Sequence, residues 1–440
     1  MYKIGLYERE ITPLFGNSIR GYFNLRLVDG VRDKTYAKSA VIDDGKKLVA
    51  LLAIDACGIT DDLCDAIYKK VSKYIDIKRS NLMISATHSH TAGPVTTDTL
   101  GADEKLDGLY LEWLANACAD TVVCAYQRRE NAKIKLSVAR IEGTTFCRNY
   151  LLKNGVSRTN PGIGNPDVVK PIGEADYDAP VLIIENERGK DIGILYSFAN
   201  HQDSVDGTKV SGDWSSIVSY RMKEKFGSDF ICIMFYGTAG NINQVDVFNT
   251  EEGYDPAHSQ VFLGNSVADG ILKVIDKGEY LNGDIKLIYD TKIYQNRVPT
   301  VEELKVQQEI FNKVEIPDGV KLDASSPKEL FDACMARACI NYTLNAKKYY
   351  EIKMQVISIG KVMIFALPGE VFTQYGSKII KSIPDNVCFF ACLTNNKSGY
   401  MPAKDCYLPE LYESLYGSAQ FYPEDTENIF DTFIELGKKL

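Results

Sequence analysis

Six short apolar runs in this chain of 440 residues each end directly in a small or polar motif. These motifs are residues 55–58, 87–90, 200–203, 237–241, 368–370 and 395–400. Short apolar runs rich in β-branched residues predict buried strands, and stretches with helical periodicity separate them. In α/β proteins, ligands bind where the carboxyl ends of several strands converge. The pattern therefore predicts a mixed, multi-layer α/β catalytic domain whose site lies at the C-terminal ends of its strands.

Hydrophobic periodicity predicts the individual elements. The expected helices are residues 61–74, 109–127, 215–226 (capped by Asp213), 261–276, 330–347 and 371–380. The expected strands are residues 48–55, 81–86, 181–187, 192–199, 229–236, 353–359, 361–366 and 389–393. We expect residues 1–440 to form a single domain, with 295–350 as a helical excursion, because that segment has too little apolar material for its own core.

The net charge of −9 disfavours two classes of partner. Nucleic acids and anionic lipid surfaces are negatively charged and bind basic protein surfaces. We therefore expect no nucleic-acid partner and no stable membrane association. No apolar run reaches the roughly 20 residues that cross a bilayer, and charges near the N-terminus disfavour a secretory leader. The 11 cysteines are odd in number and mostly lie in apolar segments, which indicates buried, reduced thiols. We expect a cytoplasmic protein of undetermined oligomeric state.

Histidine is scarce, and three of the four histidines follow predicted strands: His88, His90 and His201. In an extended segment, His88 and His90 point to the same side, so one can bind a metal while the other orients water or substrate. Glu370 follows another strand, and two histidines with a carboxylate form the ligand set of a catalytic zinc with an open position. Taken singly, each residue also has a structural interpretation, such as a carboxylate at a helix N-terminus. His258 lies in a polar run and is expected on the surface.

The ordered motifs resemble the neutral (non-lysosomal) ceramidase family across nearly the whole chain. Residues 84–94 are similar to its A-T-H-S-H-x-G-P segment, 197–201 to the strand with its second histidine, 211–213 to its S-S-D segment, and 367–370 to the stretch with its ligating glutamate. Residues 398–400, 407 and 412–413 resemble its terminal tyrosine block, and residues 148–149 resemble its N-R-S arginine. The resemblance implies a relative that consists of the catalytic domain without the family's C-terminal immunoglobulin-like domain.

On that resemblance, one Zn²⁺ per chain is held by four ligands, and further residues surround the substrate carbonyl. The implied metal ligands are His88, His201, Glu370 and Tyr400. The implied catalytic residues are His90, Arg148 and Tyr412, and Tyr407 is assigned to substrate binding. A phenolate is an unusual ligand, but coordination lowers its pKa as it does for bound water.

The chain departs from the family in residues 239–245, where the family's A-G-D-x-S-P-N loop reads A-G-N-I-N-Q-V. Asn243 stands at the serine position and Asn241 at the aspartate position. Because an amide is no nucleophile, Asn243 is assigned to oxyanion stabilisation and Asn241 to substrate binding. Amide side chains in this loop favour a substrate with a small or polar acyl group over a long-chain ceramide.

Together these assignments predict a zinc-dependent hydrolase of a linear amide (N-acyl) bond in a small molecule, an amidohydrolase of carbon–nitrogen bonds other than peptide bonds. A metal-bound water is the expected nucleophile, and His90 is the expected general base and acid. Two alternatives remain open. One is a metal-dependent esterase or deacetylase that acts on a polar O-acyl conjugate such as an acyl sugar. The other is a non-catalytic relative that binds a metal and a small ligand.

Overall fold

The computed structural model describes residues 1–22, 24–99, 101–317, 327–396 and 398–440. The helices in these residues are α1 Asp61–Val71, α2 Glu104–Gln127, α3 Trp214–Phe226, α4 Gln260–Leu272, α5 Val301–Lys313, α6 Lys328–Asn345, α7 Thr373–Ser382 and α8 Pro423–Lys438. The strands are β1 Tyr2–Glu10, β2 Ser18–Ile19, β3 Arg26–Leu27, β4 Gly30–Val31, β5 Tyr36–Asp43, β6 Leu48–Ile54, β7 Leu82–Ala86, β8 Glu130–Arg140, β9 Phe146–Cys147, β10 Asn149–Leu152, β11 Ser157–Thr159, β12 Val168–Pro171, β13 Asp178–Asn186, β14 Asp191–Phe198, β15 Lys209–Val210, β16 Ile231–Tyr236, β17 Ile242–Asn243, β18 Glu279–Tyr280, β19 Ile285–Gln295, β20 Tyr349–Ile359, β21 Val362–Ala366, β22 Glu370–Val371, β23 Val387–Ala391 and β24 Tyr400–Met401.

Two large sheets organise these elements. The nine-stranded sheet has the order β16-β14-β13-β8-β1-β5-β6-β7, and β18 pairs with β8. The pairs β14–β16 and β6–β7 are parallel. The four-stranded sheet has the order β19-β20-β21-β23, in which β21 and β23 are parallel. The mixed α/β class predicted from the sequence is therefore confirmed.

Alternating side chains of the strands contribute to two cores. Leu51 of β6 and Ile364 of β21 belong to a core formed by one face of each large sheet. Their neighbours Leu52 and Phe365 point to the opposite faces and join a second core that contains apolar residues of the helices. Each fully buried side chain of this size contributes roughly 1.5–3 kcal/mol. Because successive side chains of a strand point to opposite faces, helices pack on one face of each large sheet, and the other large sheet packs on its second face.

The nine-stranded sheet is strongly curved. β16 ends the hydrogen-bonding order, yet it also packs against β5, β6 and β7 near the other end. Lys38 of β5 reaches across and donates from Nζ to the carbonyl oxygen of Cys232 in β16 at 3.1 Å. Beyond the strands, Ser89 and Gln202 form a parallel β-bridge. The curvature therefore joins the segment after β7 to the segment after β14.

The predicted elements are found, with boundaries shifted by a few residues, and β13 and β14 form the expected antiparallel hairpin. Asp213 caps α3 as predicted, since its side chain accepts from the Trp214 N–H. The prediction of a helix from residue 371 is wrong at its start, because Glu370 pairs with Tyr400 in a short strand before α7 begins. Long strands such as β8 and β19 are absent from the predictions because their exposed charged side chains interrupt any apolar run.

The excursion of residues 295–350 contains α5 and α6, which pack against each other. Residues 318–326 of the excursion lie outside the described residues. Arg297, just before α5, donates from Nη1 to the Ser414 carbonyl oxygen at 2.8 Å. The excursion therefore contacts the segment that follows the predicted tyrosine block, while the single-domain assignment of residues 1–440 stays a prediction.

The cysteines are unpaired thiols, and most of them are buried. All 11 cysteines are free, and nine of them are buried. Within the described part of the chain, we find no helix with the length and apolarity needed to cross a bilayer.

Candidate active site

His88, His201 and Glu370 meet beyond the carboxyl ends of β7, β14 and β21. One potential ligand atom of each residue lies within 4.8 Å of those of the other two. Oε2 of Glu370 is 3.2 Å from Nε2 of His88 and 3.5 Å from Nε2 of His201. The two histidines are only 3% and 1% exposed. Two imidazole nitrogens and a carboxylate oxygen thus converge on one buried point.

The chemistry of this group fits a divalent cation. Oε2 of Glu370 is buried, and no described group donates a hydrogen bond to it. An unsatisfied buried carboxylate oxygen is unfavourable, and a cation would compensate it. Burial alone raises the pKa of Glu370, but the adjacent His88 and His201 outweigh burial and hold that pKa well below its usual value. The carboxylate is therefore ionised and available to a metal.

The other ring nitrogen of each histidine is held by the protein. Nδ1 of His88 donates to the Cys57 carbonyl oxygen at 2.7 Å, and Nδ1 of His201 lies 3.1 Å from the Tyr236 hydroxyl. The carbonyl partner selects the His88 tautomer that leaves Nε2 free for a metal, whereas the hydroxyl, which can donate or accept, orients the His201 ring. Neither Cys57 nor Tyr236 is among the predicted site residues, since any residue type can supply a backbone carbonyl and Tyr236 lies inside a predicted strand.

The backbone at His88 differs from the extended segment expected from the sequence. His88 has a φ of 73°, in the left-handed region that residues other than glycine rarely adopt. Its N–H donates to the Ala56 carbonyl oxygen at 2.9 Å, which holds this conformation. The His90 ring still lies beside it, with centroids 4.7 Å apart and the two Nε2 atoms 3.2 Å apart. The two imidazoles therefore meet through a turn and not through strand alternation.

His90 is surrounded by residues that the sequence did not reveal. Nδ1 of His90 is 3.7 Å from Oδ1 of Asp203, and the Tyr22 hydroxyl donates to the same carboxylate. Nη2 of Arg26 donates to the His90 carbonyl oxygen at 2.6 Å. Burial lowers the pKa of the His90 imidazole well below its usual value, so the ring is neutral at neutral pH. A neutral, positioned imidazole can accept a proton.

Arg148 is buried beside the histidines. Its Nη1 lies 3.1 Å from Nε2 of His201, and its Nη2 donates to the Gly240 carbonyl oxygen at 2.8 Å. Its Nε donates to Oε1 of Glu413 at 2.7 Å. Glu413, absent from the predicted roles, is fully buried. The guanidinium is thus fixed on two sides, and its third side faces the His201 ring.

Tyr400 and Tyr412 lie on the same side of the site. Tyr400 pairs with Glu370 in the parallel strands β22 and β24, which places the two residues side by side. The Tyr400 ring is 5.3 Å from Cζ of Arg148 and 5.5 Å from the Tyr412 ring. Burial raises the pKa of the Tyr400 phenol well above its usual value. The structure therefore brings both predicted tyrosines to the Arg148 side of the cluster.

Asn241 is close to the site, but its side chain is engaged elsewhere. Its Oδ1 accepts from the Thr373 N–H at 2.9 Å, and its Nδ2 donates to Oε1 of Gln374 at 3.0 Å. These contacts anchor the first turn of α7, directly after Glu370. A role of Asn241 in substrate binding stays a prediction, and the contacts observed are structural.

Asn243 and Tyr407 also have partners within the protein. Nδ2 of Asn243 donates to Oδ1 of Asn160 at 2.9 Å, and its Oδ1 accepts from the Val245 N–H at 3.0 Å. The Tyr407 hydroxyl hydrogen-bonds with Oγ1 of Thr426 in α8 at 2.6 Å. Because the loop amides are engaged in this way, they give no support to the expectation of a polar acyl group.

Comparisons with known proteins give the family of the chain and structures of similar fold. The family model described as neutral/alkaline non-lysosomal ceramidase, N-terminal, matches residues 2–244. The chain is similar to a crystal structure of neutral ceramidase from Pseudomonas aeruginosa, with a TM-score of 0.74 and 18% identity over 98% of this chain and 73% of that one. It is also similar to a structure described as ceramidase complexed with C2, with a TM-score of 0.74 and 15% identity over 100% and 76% of the two chains. At these identities, the structural similarity shows a shared fold.

Proposed function

The chain belongs to the neutral/alkaline ceramidase family, and from this premise we propose that it is a zinc-dependent hydrolase of a ceramide-type N-acyl amide bond. Membership supports hydrolysis of an amide bond outside peptides. The observation that carries the metal dependence is the convergence of His88, His201 and Glu370 around a buried carboxylate oxygen without a hydrogen-bond donor. These three residues, with Tyr400 beside Glu370, are the proposed zinc ligands.

A zinc ion in this position would supply the Lewis acidity that activates a water molecule and polarises the substrate carbonyl. The protein prepares the site for it in two ways. Hydrogen bonds at Nδ1 orient the imidazoles of His88 and His201, and Glu370 contributes the negative charge. Arg148 is close enough that its Nη1 must leave Nε2 of His201 when a metal binds there. That N–H is then available to a substrate oxygen.

We assign the proton transfers to His90. Its ring is neutral, lies against His88, and directs Nε2 towards the ligand cluster. Nε2 accepts the proton of the attacking water and then donates it to the leaving amine. The Asp203 carboxylate lies 3.7 Å from Nδ1 and favours the tautomer in which Nδ1 carries the hydrogen. The acyl carbon must therefore bind between His90 and the zinc ligands.

Arg148 and Tyr412 are the proposed donors to the oxyanion. Charge that develops on the carbonyl oxygen is best stabilised by donors that are already positioned before reaction. The ion pair with Glu413 and the bond to Gly240 hold the Arg148 guanidinium in place. Tyr412 approaches from the Tyr400 side, with its ring 5.5 Å from the Tyr400 ring. Glu413, next to Tyr412 in sequence, thus couples the two donors.

Metal analysis combined with a hydrolysis assay tests this proposal. We expect about one equivalent of zinc per chain, loss of ceramide hydrolysis in chelator, and recovery on adding zinc. A His258→Ala variant is the matched control, since that side chain is 58% exposed and pairs only with Asp255 among its described contacts. Full activity in chelator with less than about half an equivalent of metal contradicts zinc dependence. A zinc-loaded protein that hydrolyses no N-acyl amide contradicts the activity and favours a binding protein.

A further inference from the structure

A second group of soft ligand atoms adjoins the proposed zinc centre. Cys57, His88 and His90 each offer an atom within 4.8 Å of those of the other two. Cys57 follows β6 and is partly exposed, whereas both histidines are buried. A thiolate with two imidazoles is a donor set for thiophilic ions such as Cd²⁺ or excess Zn²⁺, and not for Mg²⁺ or Ca²⁺. We propose that these three residues form an inhibitory site for a thiophilic divalent cation.

The two ligand groups share His88, and this sharing makes them compete. Nδ1 of His88 donates to the Cys57 carbonyl oxygen at 2.7 Å, so Nε2 is the ring nitrogen left for a metal. One nitrogen lone pair binds one ion at a time. An ion held by Cys57 and His90 therefore removes His88 from the set formed with His201 and Glu370. Inhibition by this route rests on the proposed function, whereas binding at Cys57 does not.

The backbone holds the thiol next to the histidines. The His88 N–H donates to the Ala56 carbonyl oxygen at 2.9 Å, and the Cys57 carbonyl oxygen accepts from the same residue's ring. The Thr87 N–H donates to the Ile54 carbonyl oxygen at 2.9 Å. These bonds fix the segment after β6 against the segment after β7. Little reorganisation is needed for the thiol to bind an ion there.

Occupation of the second site also involves the proposed general base. Nε2 of His90 is 3.2 Å from Nε2 of His88, so an ion that binds His88 through Nε2 lies next to both nitrogens. Binding there blocks the lone pair that accepts a proton. Inhibition thus has two causes, the loss of a zinc ligand and the loss of the base.

Titration of the zinc-loaded full chain with CdCl₂ tests the site through two readouts. The ultraviolet absorption of a cadmium–thiolate bond reports binding without any need for activity, and ceramide hydrolysis reports inhibition. We expect absorption to saturate near one equivalent, with hydrolysis falling in parallel. Replacing Cys57 by Ser should abolish the absorption. It should also raise the half-inhibitory cadmium concentration at least about tenfold, because losing a metal ligand weakens binding more than losing a residue that only contacts a ligand. MgCl₂ at the same concentrations should have no effect.

Cys124→Ser is the matched control, because Cys124 is the other partly exposed cysteine and lies in α2. It should behave as the wild type does in both readouts. A wild-type protein without cadmium–thiolate absorption overturns the proposal, and so does equal absorption in the Cys57→Ser variant. Equal inhibition of wild type and Cys57→Ser also overturns it, because cadmium then acts at His88, His201 and Glu370 alone. A chain that hydrolyses no ceramide, but shows absorption dependent on Cys57, keeps the site and refutes the proposed function.

Discussion

Glu413 and Arg148 form an ion pair that is almost completely shielded from solvent, with Oε1 of Glu413 2.7 Å from Nε of Arg148. The second carboxylate oxygen of Glu413 accepts from Nδ2 of Asn149 at 2.9 Å and from Oγ1 of Thr159 at 2.7 Å. Three donors therefore satisfy this buried carboxylate. The pair joins the strand segment before β10 to the segment after β24, and it orients the guanidinium towards the histidines.

Replacing Glu413 by Ala should destabilise the protein, because it leaves the Arg148 charge buried and unpaired. We expect the free energy of unfolding to fall by about 3–5 kcal/mol, and hydrolysis to fall as well. Asp178→Ala is the control, since Asp178 pairs with Arg140 on the exposed surface, and its loss should change stability by about 1 kcal/mol or less. Chemical denaturation measures both variants, and equal losses would contradict a special role for the buried pair.

Replacing His201 and His90 by Ala should separate metal binding from proton transfer. The His201→Ala variant loses a proposed ligand, so most of the zinc should be absent on metal analysis. The His90→Ala variant should keep its zinc and lose about 10²-fold or more in kcat, as expected for a general acid–base. Loss of zinc from the His90 variant would show that His90 is a ligand, and the assignment of roles would then be wrong.

Replacing Gly240 by Ala should displace Glu370. A Cβ at Gly240 would lie 2.4 Å from the Glu370 carbonyl oxygen, which is far too close. We expect a loss of stability of about 1–3 kcal/mol from overpacking, together with weaker zinc binding. Gly58→Ala serves as the control, since a Cβ there meets no atom within 4 Å. Competition with a zinc-responsive dye measures the affinity of both variants, and unchanged affinity in Gly240→Ala would refute the expected displacement.

Asp55 should make stability fall as pH rises through the weakly acidic range. Burial raises the pKa of its carboxyl from 3.8 to about 6, although hydrogen bonds from Tyr36 and Thr87 oppose the increase. Between these values the folded protein keeps a proton that the unfolded chain has lost, so this contribution decreases with rising pH. The stability of Asp55→Asn relative to wild type should increase between about pH 4 and pH 6, by at most about 3 kcal/mol.

Denaturation at several pH values measures that difference. Asp178→Asn, at an exposed carboxylate, is the control for the loss of a carboxylate as such. A flat difference for Asp55→Asn would indicate that Asp55 titrates normally in the folded protein.

Long-chain ceramide should be a better substrate than a short-chain N-acyl amino sugar. The side chains of Asn241 and Asn243 bind Thr373, Gln374 and Asn160 and are not free to select a polar substrate. We expect the catalytic efficiency on ceramide in detergent to exceed that on the amino sugar by about tenfold or more, which is about 1.4 kcal/mol of transition-state stabilisation. Higher efficiency on the amino sugar would instead support the expectation that the amides of residues 239–245 select a polar substrate.

Local patterns in the sequence determined the class of fold and most of the candidate ligands. Continuous apolar runs define β6, β7, β14, β16, β21 and β23, because strands that are buried on both faces carry apolar residues at successive positions. His88, His201 and Glu370 directly follow such strands, so their chemical types and their positions at strand ends were readable without any tertiary information. Strands such as β8 have no comparable apolar run, since only pairing with neighbours stabilises a segment that carries so many charges.

The tertiary structure alone decided which of these strand ends meet. The curvature of the nine-stranded sheet brings the segment after β7 to the segment after β14, and curvature arises from packing over the whole sheet. The left-handed φ of His88 is held by hydrogen bonds that His88 donates to carbonyl oxygens of the segment after β6. Arg148 and Glu413 are 265 positions apart in the sequence, and Asn241 and Thr373 are also far apart in it. No local pattern reports such pairs, because the free energy that selects them comes from contacts that exist only once the chain has folded.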